Sequence, residues 1–352
     1  MKLAFMGDTF LKTKDDTNPF AHVQPLLDQA DIRVLNLETA LAHKFHNFTV
    51  KKHIRLKCHF NDAIYLQDAG IDVLHLDNNH SKDCGKEGID FAISSLKALG
   101  INSTMNGDNI AVKFIDDFQV GFIGCRLFED DNDRLNRLLR QIEVALRFSG
   151  ILVVSLHWGQ EHMPVPSPWQ IEAAHKIIDA GAKIVVGHHT HCPQGIERYN
   201  NGLIAYSLGN FNFWQDDVEM NWYNRIAPIL IVSVEKDNIL NYCTNYCKID
   251  DNYVPIPADP YTTEYDDLWN FEDDLSANIG AYTEKEWYNL LGYQYITQTI
   301  KSSFIAISRY GFNPLWRFIK WLCRPHTHKA FLGMIRKGKV DRWKQYGENL
   351  AP

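Results

Sequence analysis

The 352-residue sequence predicts an α/β fold in which helices pack on a largely buried β-sheet. Short apolar runs recur along the chain and end in polar or glycine-rich corners. Between them lie segments whose apolar residues recur every three or four positions, which is the spacing of an amphipathic helix. The composition, with 45% hydrophobic and 22% charged residues, is that of a globular protein with a well-buried core.

The predicted elements alternate along the chain up to about residue 250. Three amphipathic segments are predicted helices, at residues 21–30, 87–100 and 168–182. Each lies between apolar runs, as expected for helices that connect the strands of a sheet. The predicted strands are residues 2–7, 32–38, 71–79, 119–125, 151–159, 182–189, 203–211 and 226–235.

The charge of the sequence divides it into a body and a tail. Residues 301–352 contain eleven Lys or Arg and two acidic residues, so this tail carries +9 and the first 300 residues carry −16. Large aromatics interleave with the basic residues, which suits docking on the acidic body, a membrane surface or an anionic polymer. We predict one domain over residues 1–250, an acidic and aromatic loop or lid over residues 251–300, and a helical tail docked on the body. Contact of the tail with a membrane surface is the alternative.

The sequence predicts a cytoplasmic protein. Its first residues, MKLAFMGD, reach an acidic residue too soon for the apolar region of a secretory signal. No run approaches the eighteen or more apolar residues of a membrane-spanning helix. Seven cysteines without any Cys-x-x-Cys pair fit reduced thiols better than a disulfide framework. Peripheral contact with a membrane through the tail stays open.

Polar side chains that can bind metal ions follow the predicted strands. Because the carboxyl ends of parallel strands meet at one edge of a sheet, residues far apart in the sequence converge there. Carboxylate, amide and imidazole donors of this kind hold Mn, Zn or Fe. Taken singly, a cap, a turn or core packing explains each residue as well, and only their joint occurrence predicts a metal site. The candidates are Asp8, Glu38, Asn79, His80, His157, His189 and His191.

Three histidines crowd the strand-end sequence GHHTH. Side chains alternate along an extended segment, so His189 and His191 point to the same side and can share one metal site. His188 then faces the other way, into packing or supporting contacts. The tripeptide His-Thr-His occurs again in the tail, at His326 and His328. No buried strand precedes this second copy, so we interpret it as a solvated loop.

Six short motifs occur in a fixed order along the chain. They are GD at 7–8, NLE at 36–38, NNHSKDCG at 78–85, HWGQE at 157–161, DAGAKIVVGHHTHCPQGIE at 179–197 and YSLGNF at 206–211. Together they resemble the CapA family of poly-gamma-glutamate capsule biosynthesis proteins, over about residues 1 to 215. That family is similar in turn to calcineurin-like metallophosphoesterases. The resemblance implies a four-layered fold of two sheets between helices, and a centre that holds two divalent metal ions, Mn, Zn or Fe.

The resemblance also implies a role for each strand-end residue. His80 takes the position of the general acid that protonates a leaving oxygen. The first motif continues as Asp8-Thr9-Phe10 where the phosphoesterases have Asp-x-His, so fewer protein groups would hold the first metal. The implied ligands are Asp8 and His191 for the first metal, Asn79, His157 and His189 for the second, and Glu38 as the bridge.

Four further residues are predicted at the site, Asp83 beside the catalytic His80, and Glu161, Ser207 and Asn210 in substrate binding. Asp83, three positions after His80, can accept a hydrogen bond from an imidazole and fix its tautomer. Glu161 is either a supporting acid or a solvated one. Ser207 and Asn210 lie near a glycine turn, where the backbone can approach a substrate closely.

The predicted function is that of a metal-dependent hydrolase in capsule or exopolymer biosynthesis, acting on a phosphoester or a gamma-glutamyl amide through a metal-bound water. Its substrate would be an anionic polymer, poly-gamma-glutamate or polysaccharide, or a phosphoester. The alternative is a non-catalytic factor that binds or assembles the polymer on the same fold. An amidohydrolase barrel also uses His-x-His, but there the pair follows the first strand. No nucleic-acid motif is present, so we expect no nucleic-acid partner.

Overall fold

The structure of the protein, a computed structural model, describes residues 1–51, 54–107, 109–129, 131–213 and 222–290. Six cysteines lie in these ranges, and all six are free thiols. No helix in the same ranges is long and apolar enough to cross a membrane. The basic tail with its second His-Thr-His tripeptide, and the end of the predicted lid, lie outside the described residues.

Sixteen strands, six α-helices and a further helical segment over residues 284–290 lie in the part of the chain that the structure describes. The strands are β1 (Lys2–Thr9), β2 (Ile32–Leu37), β3 (Ala40–Ala42), β4 (Lys57–His59), β5 (Val73–His75), β6 (Asn102–Thr104), β7 (Ile110–Ile115), β8 (Phe118–Arg126), β9 (Ile151–His157), β10 (Ile184–His188), β11 (Ile196–Tyr199), β12 (Gly202–Ala205), β13 (Asn210–Asn212), β14 (Ile226–Glu235), β15 (Asn238–Ile249) and β16 (Pro255–Pro257). The helices are α1 (Gln24–Leu27), α2 (Ala63–Asp68), α3 (Gly85–Ala98), α4 (Asn132–Ala145), α5 (Pro168–Asp179) and α6 (Thr263–Ala277). Every strand and helix predicted up to residue 250 overlaps an observed one, while the predicted helical tail lies outside the described residues.

Two large sheets organise these elements. The first has the order β16-β15-β14-β1-β2-β5-β6, and the short β13 pairs with the last residues of β1. The second has the order β11-β12-β10-β9-β8-β7. Strands β1, β2, β5 and β6 are parallel in the first sheet, as are β8, β9, β10 and β12 in the second. Each sheet therefore has one edge at which the carboxyl ends of several strands meet.

Four layers stack around these sheets. The inner faces pack on each other through apolar side chains such as Phe5 and Val34 of the first sheet and Phe122 and Val153 of the second. Helices α2 and α3 cover the outer face of the first sheet. Helices α4 and α5 cover the outer face of the second. The predicted four-layered α/β sandwich is confirmed.

Helix α5 connects β9 to β10 and has a well-defined start. The Ser167 hydroxyl accepts a hydrogen bond from the main chain of Gln170, whose side chain accepts one from the main chain of Ser167 in return. Pro168 occupies the first helical position, where its missing N–H costs nothing. This capping box fixes the beginning of the helix, and so helps to set the relative position of two strands that end in histidines.

Residues 251–290 differ from the predicted loop or lid. Strand β16 adds to the first sheet, and α6 buries Leu268, Phe271 and Leu275, which are 1%, 2% and 0% exposed. Their spacing is that of an amphipathic helix, but acidic residues between them hide the pattern in TEYDDLWNFEDDLSA. The folded body therefore extends past the predicted boundary at residue 250.

Candidate metal centre

A β-bulge directs Asp8 into the space between the sheets. Met6 pairs with Leu35 of β2 and Asp8 pairs with the next residue, Asn36, so Gly7 is an extra residue in β1. Met6 and Leu35 belong to the outer core, and the bulge turns Asp8 to the inner face. A Cβ on Gly7 would lie 2.1 Å from the carbonyl oxygen of a neighbouring glycine, so only glycine fits there.

The second sheet supplies a row of three polar side chains. Arg126, His157 and His188 are the last residues of β8, β9 and β10, and they are register partners. The residue four positions earlier on each strand, such as Phe122 or Val153, belongs to the inner core. Because side chains alternate along a strand, this row also points inward, toward the first sheet.

His189 and His191 follow β10 in a turn. The strand ends at His188, and φ is +88° at His189 and +56° at His191, in the left-handed region. The prediction of an extended His-x-His pair is therefore wrong, because the strand ends before the pair begins. The Thr190 hydroxyl donates to Ser207 Oγ at 2.8 Å and holds the turn, in which the two ring centroids are 6.3 Å apart.

Five side chains form two overlapping groups of metal donors. One group contains Glu38, His157 and His189, and the other contains Asp8, Glu38 and His191. Within each group the donor atoms lie within 4.8 Å of one another. Glu38 belongs to both groups. The two histidines of the turn therefore fall into different groups, which agrees with the family resemblance and not with the alternation argument.

The electrostatics of His157, His189 and Asp8 suit metal ligands, which bind as neutral imidazoles and ionised carboxylates. Burial lowers the pKa of His157 well below its ordinary value and that of His189 to about 3. Burial would raise the pKa of Asp8, but hydrogen bonds and neighbouring imidazoles, chiefly His191, outweigh it and lower that pKa. Burial would lower the pKa of His191, but Glu38 and Asp8 raise it to about 10. The two carboxylates therefore favour a positive charge at His191, either the protonated ring or a cation beside it.

Two asparagines orient donor side chains. Asn36 Nδ2 donates to Asp8 Oδ1 at 2.7 Å. Asn210 Oδ1 lies 2.9 Å from His191 Nδ1. Both asparagines are fully buried, so neither contact competes with solvent. These amides restrict the rotation of their partners, as supporting residues do around a metal site.

The turn after β5 carries Asn79 and His80. Asn79 Oδ1 lies 2.7 Å from His157 Nε2, beside the donor groups. His80 Nδ1 lies 2.8 Å from Asp83 Oδ2, and the same carboxylate oxygen accepts a hydrogen bond from the main chain of Leu56 at 2.8 Å. Asp83 is therefore held by the main chain and in turn fixes the His80 ring.

Comparison with known proteins identifies the family. A family model described as bacterial capsule synthesis protein PGA_cap matches residues 2–215, which is more than half of the chain and includes all five donor residues. The chain belongs to this family of capsule synthesis proteins. The resemblance to the CapA family predicted from the sequence motifs is confirmed.

Two known relatives are about 30% identical to this chain where they align. It is 31% identical over 220 residues to the capsule biosynthesis protein CapA of Bacillus anthracis, across 56% of this chain and 54% of that protein. It is 29% identical over 245 residues to the PGA biosynthesis protein CapA of Bacillus subtilis strain 168, across 61% of this chain and 64% of that protein. The chain therefore spans between half and two thirds of the length of these relatives.

A solved structure of low sequence identity supports the fold and nothing beyond it. A crystal structure of a hypothetical protein from Thermus thermophilus matches with a TM-score of 0.51 and 15% sequence identity. The match covers 70% of this chain and 99% of the Thermus chain.

In this PGA_cap chain the predicted substrate-binding residues lie at different depths. Ser207 is 1% exposed, and its hydroxyl accepts from Thr190. Asn210 is 0% exposed and contacts a donor histidine. Both therefore support the shape of the centre and do not face solvent. Glu161 is half-buried and precedes His162, whose main chain donates to the Thr190 carbonyl at 2.7 Å.

Sequence reasoning did not identify four polar residues near the PGA_cap centre. Asn36 and Arg126 occupy inward positions of β2 and β8, which the alternation of those strands could have revealed. The His162 ring centroid lies 6.1 Å from that of His191. Asn224 Nδ2 donates to the His191 carbonyl at 2.6 Å from a short 3₁₀ turn, and no sequence signal marks it.

Proposed function

We propose that the chain is a metal-dependent hydrolase of capsule or exopolymer biosynthesis that cleaves a phosphoester or a gamma-glutamyl amide. The observation that carries this proposal is the membership of Glu38 in both donor groups. Two groups that share a carboxylate suit two divalent ions close together, and their oxygen and nitrogen donors suit Mn, Zn or Fe.

The surroundings of Glu38 fit a pair of cations. Its side chain is fully buried, and Oε1 lies 3.8 Å from His157 Nε2 and 3.8 Å from His191 Nε2. Its main-chain N donates to the Thr9 carbonyl at 2.9 Å, which anchors it to the end of β1. A buried carboxylate is costly unless positive charge compensates it, so this position favours cation binding.

Two bound divalent ions would lower the pKa of a water molecule and neutralise charge that develops on the substrate. The chain's own residues fix where this chemistry would occur. The main-chain N–H of His189 donates to Asp8 Oδ2 at 3.1 Å and links the two donor groups directly. Asn79, beside His157, completes the proposed ligands of the second group.

His80 is the proposed general acid. Asp83 holds its Nδ1, so proton transfer to a leaving oxygen would run through Nε2. The same carboxylate would stabilise the ring while it carries the extra proton. The leaving oxygen of a phosphoester, or the leaving nitrogen of an amide, would therefore approach the centre from the side of the turn after β5.

A second candidate function is that of a non-catalytic factor that binds or assembles an anionic polymer. The two curated relatives are named for capsule biosynthesis and for PGA biosynthesis, which favours a role in synthesis without specifying a reaction. On this alternative the donor groups would hold metal for structural reasons only.

Metal analysis combined with hydrolysis assays tests the proposal. The full chain would be supplied with Mn²⁺, Zn²⁺ or Fe²⁺, and its metal content and turnover of p-nitrophenyl phosphate and a gamma-glutamyl peptide would be measured. We expect two ions per chain, and fewer than one in Glu38→Gln, with at least about 100-fold lower turnover. Glu197→Gln is the matched control, because Glu197 pairs with His175 Nε2 at 3.0 Å on another part of the fold. A metal-replete chain that is inert on both substrates would favour the assembly factor.

A further inference from the structure

Arg126 lies beside the candidate metal centre, and neither donor group includes it. It is the last residue of β8 and the register partner of His157. Like Val120 and Phe122 of the same strand, it points into the space between the sheets. Its main chain therefore lies about 4.8 Å, one strand spacing, from that of a donor residue.

Neighbouring residues hold the Arg126 side chain, but none of those that the structure describes forms an ion pair with it. The guanidinium carbon lies 4.3 Å from the centre of the Phe128 ring. Asp77 Oδ2 accepts a hydrogen bond from the main-chain N of Arg126 at 2.8 Å. The Asp77 side chain forms its ion pair with Arg134. Arg126 Nε is buried and has no hydrogen-bond partner among the described residues. A guanidinium that is held in one orientation and has an unused N–H donor can bind an anion that comes from outside the chain.

The charge of Arg126 extends to the donor groups. Burial lowers the pKa of Arg126, and the carboxylates of Asp77 and Glu38 oppose this effect. Arg126 also adds to the larger effects of burial and neighbouring imidazoles that lower the pKa values of His157 and His189. These effects agree with the register of β8 and β9, which places Arg126 beside the donor residue His157 at the carboxyl edge of the sheet.

We propose that Arg126 binds an anionic oxygen of the substrate, a phosphate or carboxylate oxygen that does not itself react, and so selects anionic substrates. The inference deepens the proposed function and rests on it, because the anion is taken to be part of the substrate of the proposed hydrolase. A planar guanidinium can donate two parallel hydrogen bonds to either anion, which a lysine cannot do. The aromatic contact with Phe128 keeps this fork in one orientation.

Anion affinity, measured without turnover, tests the role of Arg126. The Mn²⁺-loaded full chain would be titrated with inorganic phosphate and, separately, with glutarate, by calorimetry. We expect Arg126→Ala to weaken binding of one or both anions by about 10- to 100-fold, the usual loss for a charge-assisted hydrogen bond, at unchanged metal content. The anion that loses affinity identifies the group that Arg126 recognises. Added guanidinium ion should restore part of the affinity.

Two further variants complete the experiment. Arg198→Ala is the matched control, because Arg198 also lies over an aromatic ring, 5.4 Å from the Tyr242 centre, on a different strand. If Arg126→Ala fails to fold, Arg126→Lys keeps the charge without the fork and should still weaken binding several-fold. Unchanged affinity for both anions in a metal-replete Arg126 variant would overturn the inference, as would wild-type protein that binds neither anion. Arg126-dependent binding in a chain that hydrolyses nothing would support it while refuting the hydrolase.

Discussion

Glu272 should make the stability of this protein depend on pH through a group remote from the metal centre. It lies on α6, half-buried against β15, and its Oε1 accepts a hydrogen bond from Thr244 Oγ1 at 3.1 Å. Burial raises the pKa of this carboxyl from 4.5 to about 7. Replacement by Gln keeps the size and an acceptor oxygen but removes the titration.

The sign and size of the effect follow from the two pKa values of Glu272. Between about pH 4.5 and 7 the folded chain holds a proton that the unfolded chain has released, so the free energy of unfolding falls as pH rises. Each pKa unit is worth about 1.4 kcal/mol. Partial contact of Glu272 with solvent reduces its contribution to the free energy of unfolding, which we expect to be about 2 to 3 kcal/mol. This stability is present below pH 4.5 and lost above pH 7.

Urea denaturation of wild type and Glu272→Gln at a series of pH values measures the effect. The two proteins should unfold with similar free energies near pH 4.5, and the variant should be more stable by about 2 to 3 kcal/mol at pH 8. Glu143→Gln is the control, because the Glu143 side chain is 76% exposed on α4. A difference between wild type and Glu272→Gln that does not vary with pH would refute the reasoning.

Two further predictions concern the centre. The His80→Asn variant should keep its metal and hydrolyse an alkyl phosphate about 100-fold more slowly, because the alkoxide leaving group needs a proton. Its rate with p-nitrophenyl phosphate should fall much less, because that leaving group needs no proton. Equal losses on both substrates would remove His80 from proton transfer. Gly7→Ala should destabilise the fold by about 1 to 3 kcal/mol and reduce metal content, because the new Cβ would lie 2.1 Å from the Gly209 carbonyl. Gly150→Ala, whose Cβ would meet its nearest atom at 3.7 Å, should unfold within about 0.5 kcal/mol of wild type, and equal effects of the two changes would contradict the steric argument.

The alternation of inner and outer side chains explains which site residues the sequence could identify. Glu38 and His157 follow or end apolar strands, and their inward direction agrees with the strand pattern. Asp8 does not follow this rule. In simple alternation it would lie on the same face as Met6, toward the outer helices, and only the bulge at Gly7 turns it inward. The residue type and the strand end can be read from the sequence, while the direction comes from a close backbone contact.

Contacts between distant residues account for the features that the sequence did not predict. The left-handed turn at His189 and His191 depends on the Thr190 bond to Ser207, which belongs to a later segment. Helix α6 has only a narrow apolar stripe in an acidic sequence, and packing against β15 and its neighbours makes this stripe part of the core. Local propensity is a weak guide in both places, because tertiary partners decide the conformation.

The central place of β1 in its sheet has a consequence for the order of folding. Its neighbours β14 and β13 come late in the chain, and Met1 N and Val234 O, which form a hydrogen bond, are 233 positions apart. At about 5 to 20 residues per second, the ribosome needs tens of seconds to make this length of chain. Until then one side of β1 has no partner, and closing so long a loop slows folding further. A nascent chain that ends before Asn210 already contains Glu38, His157 and β2, but it lacks β13, the second of the two strands that pair with Asp8.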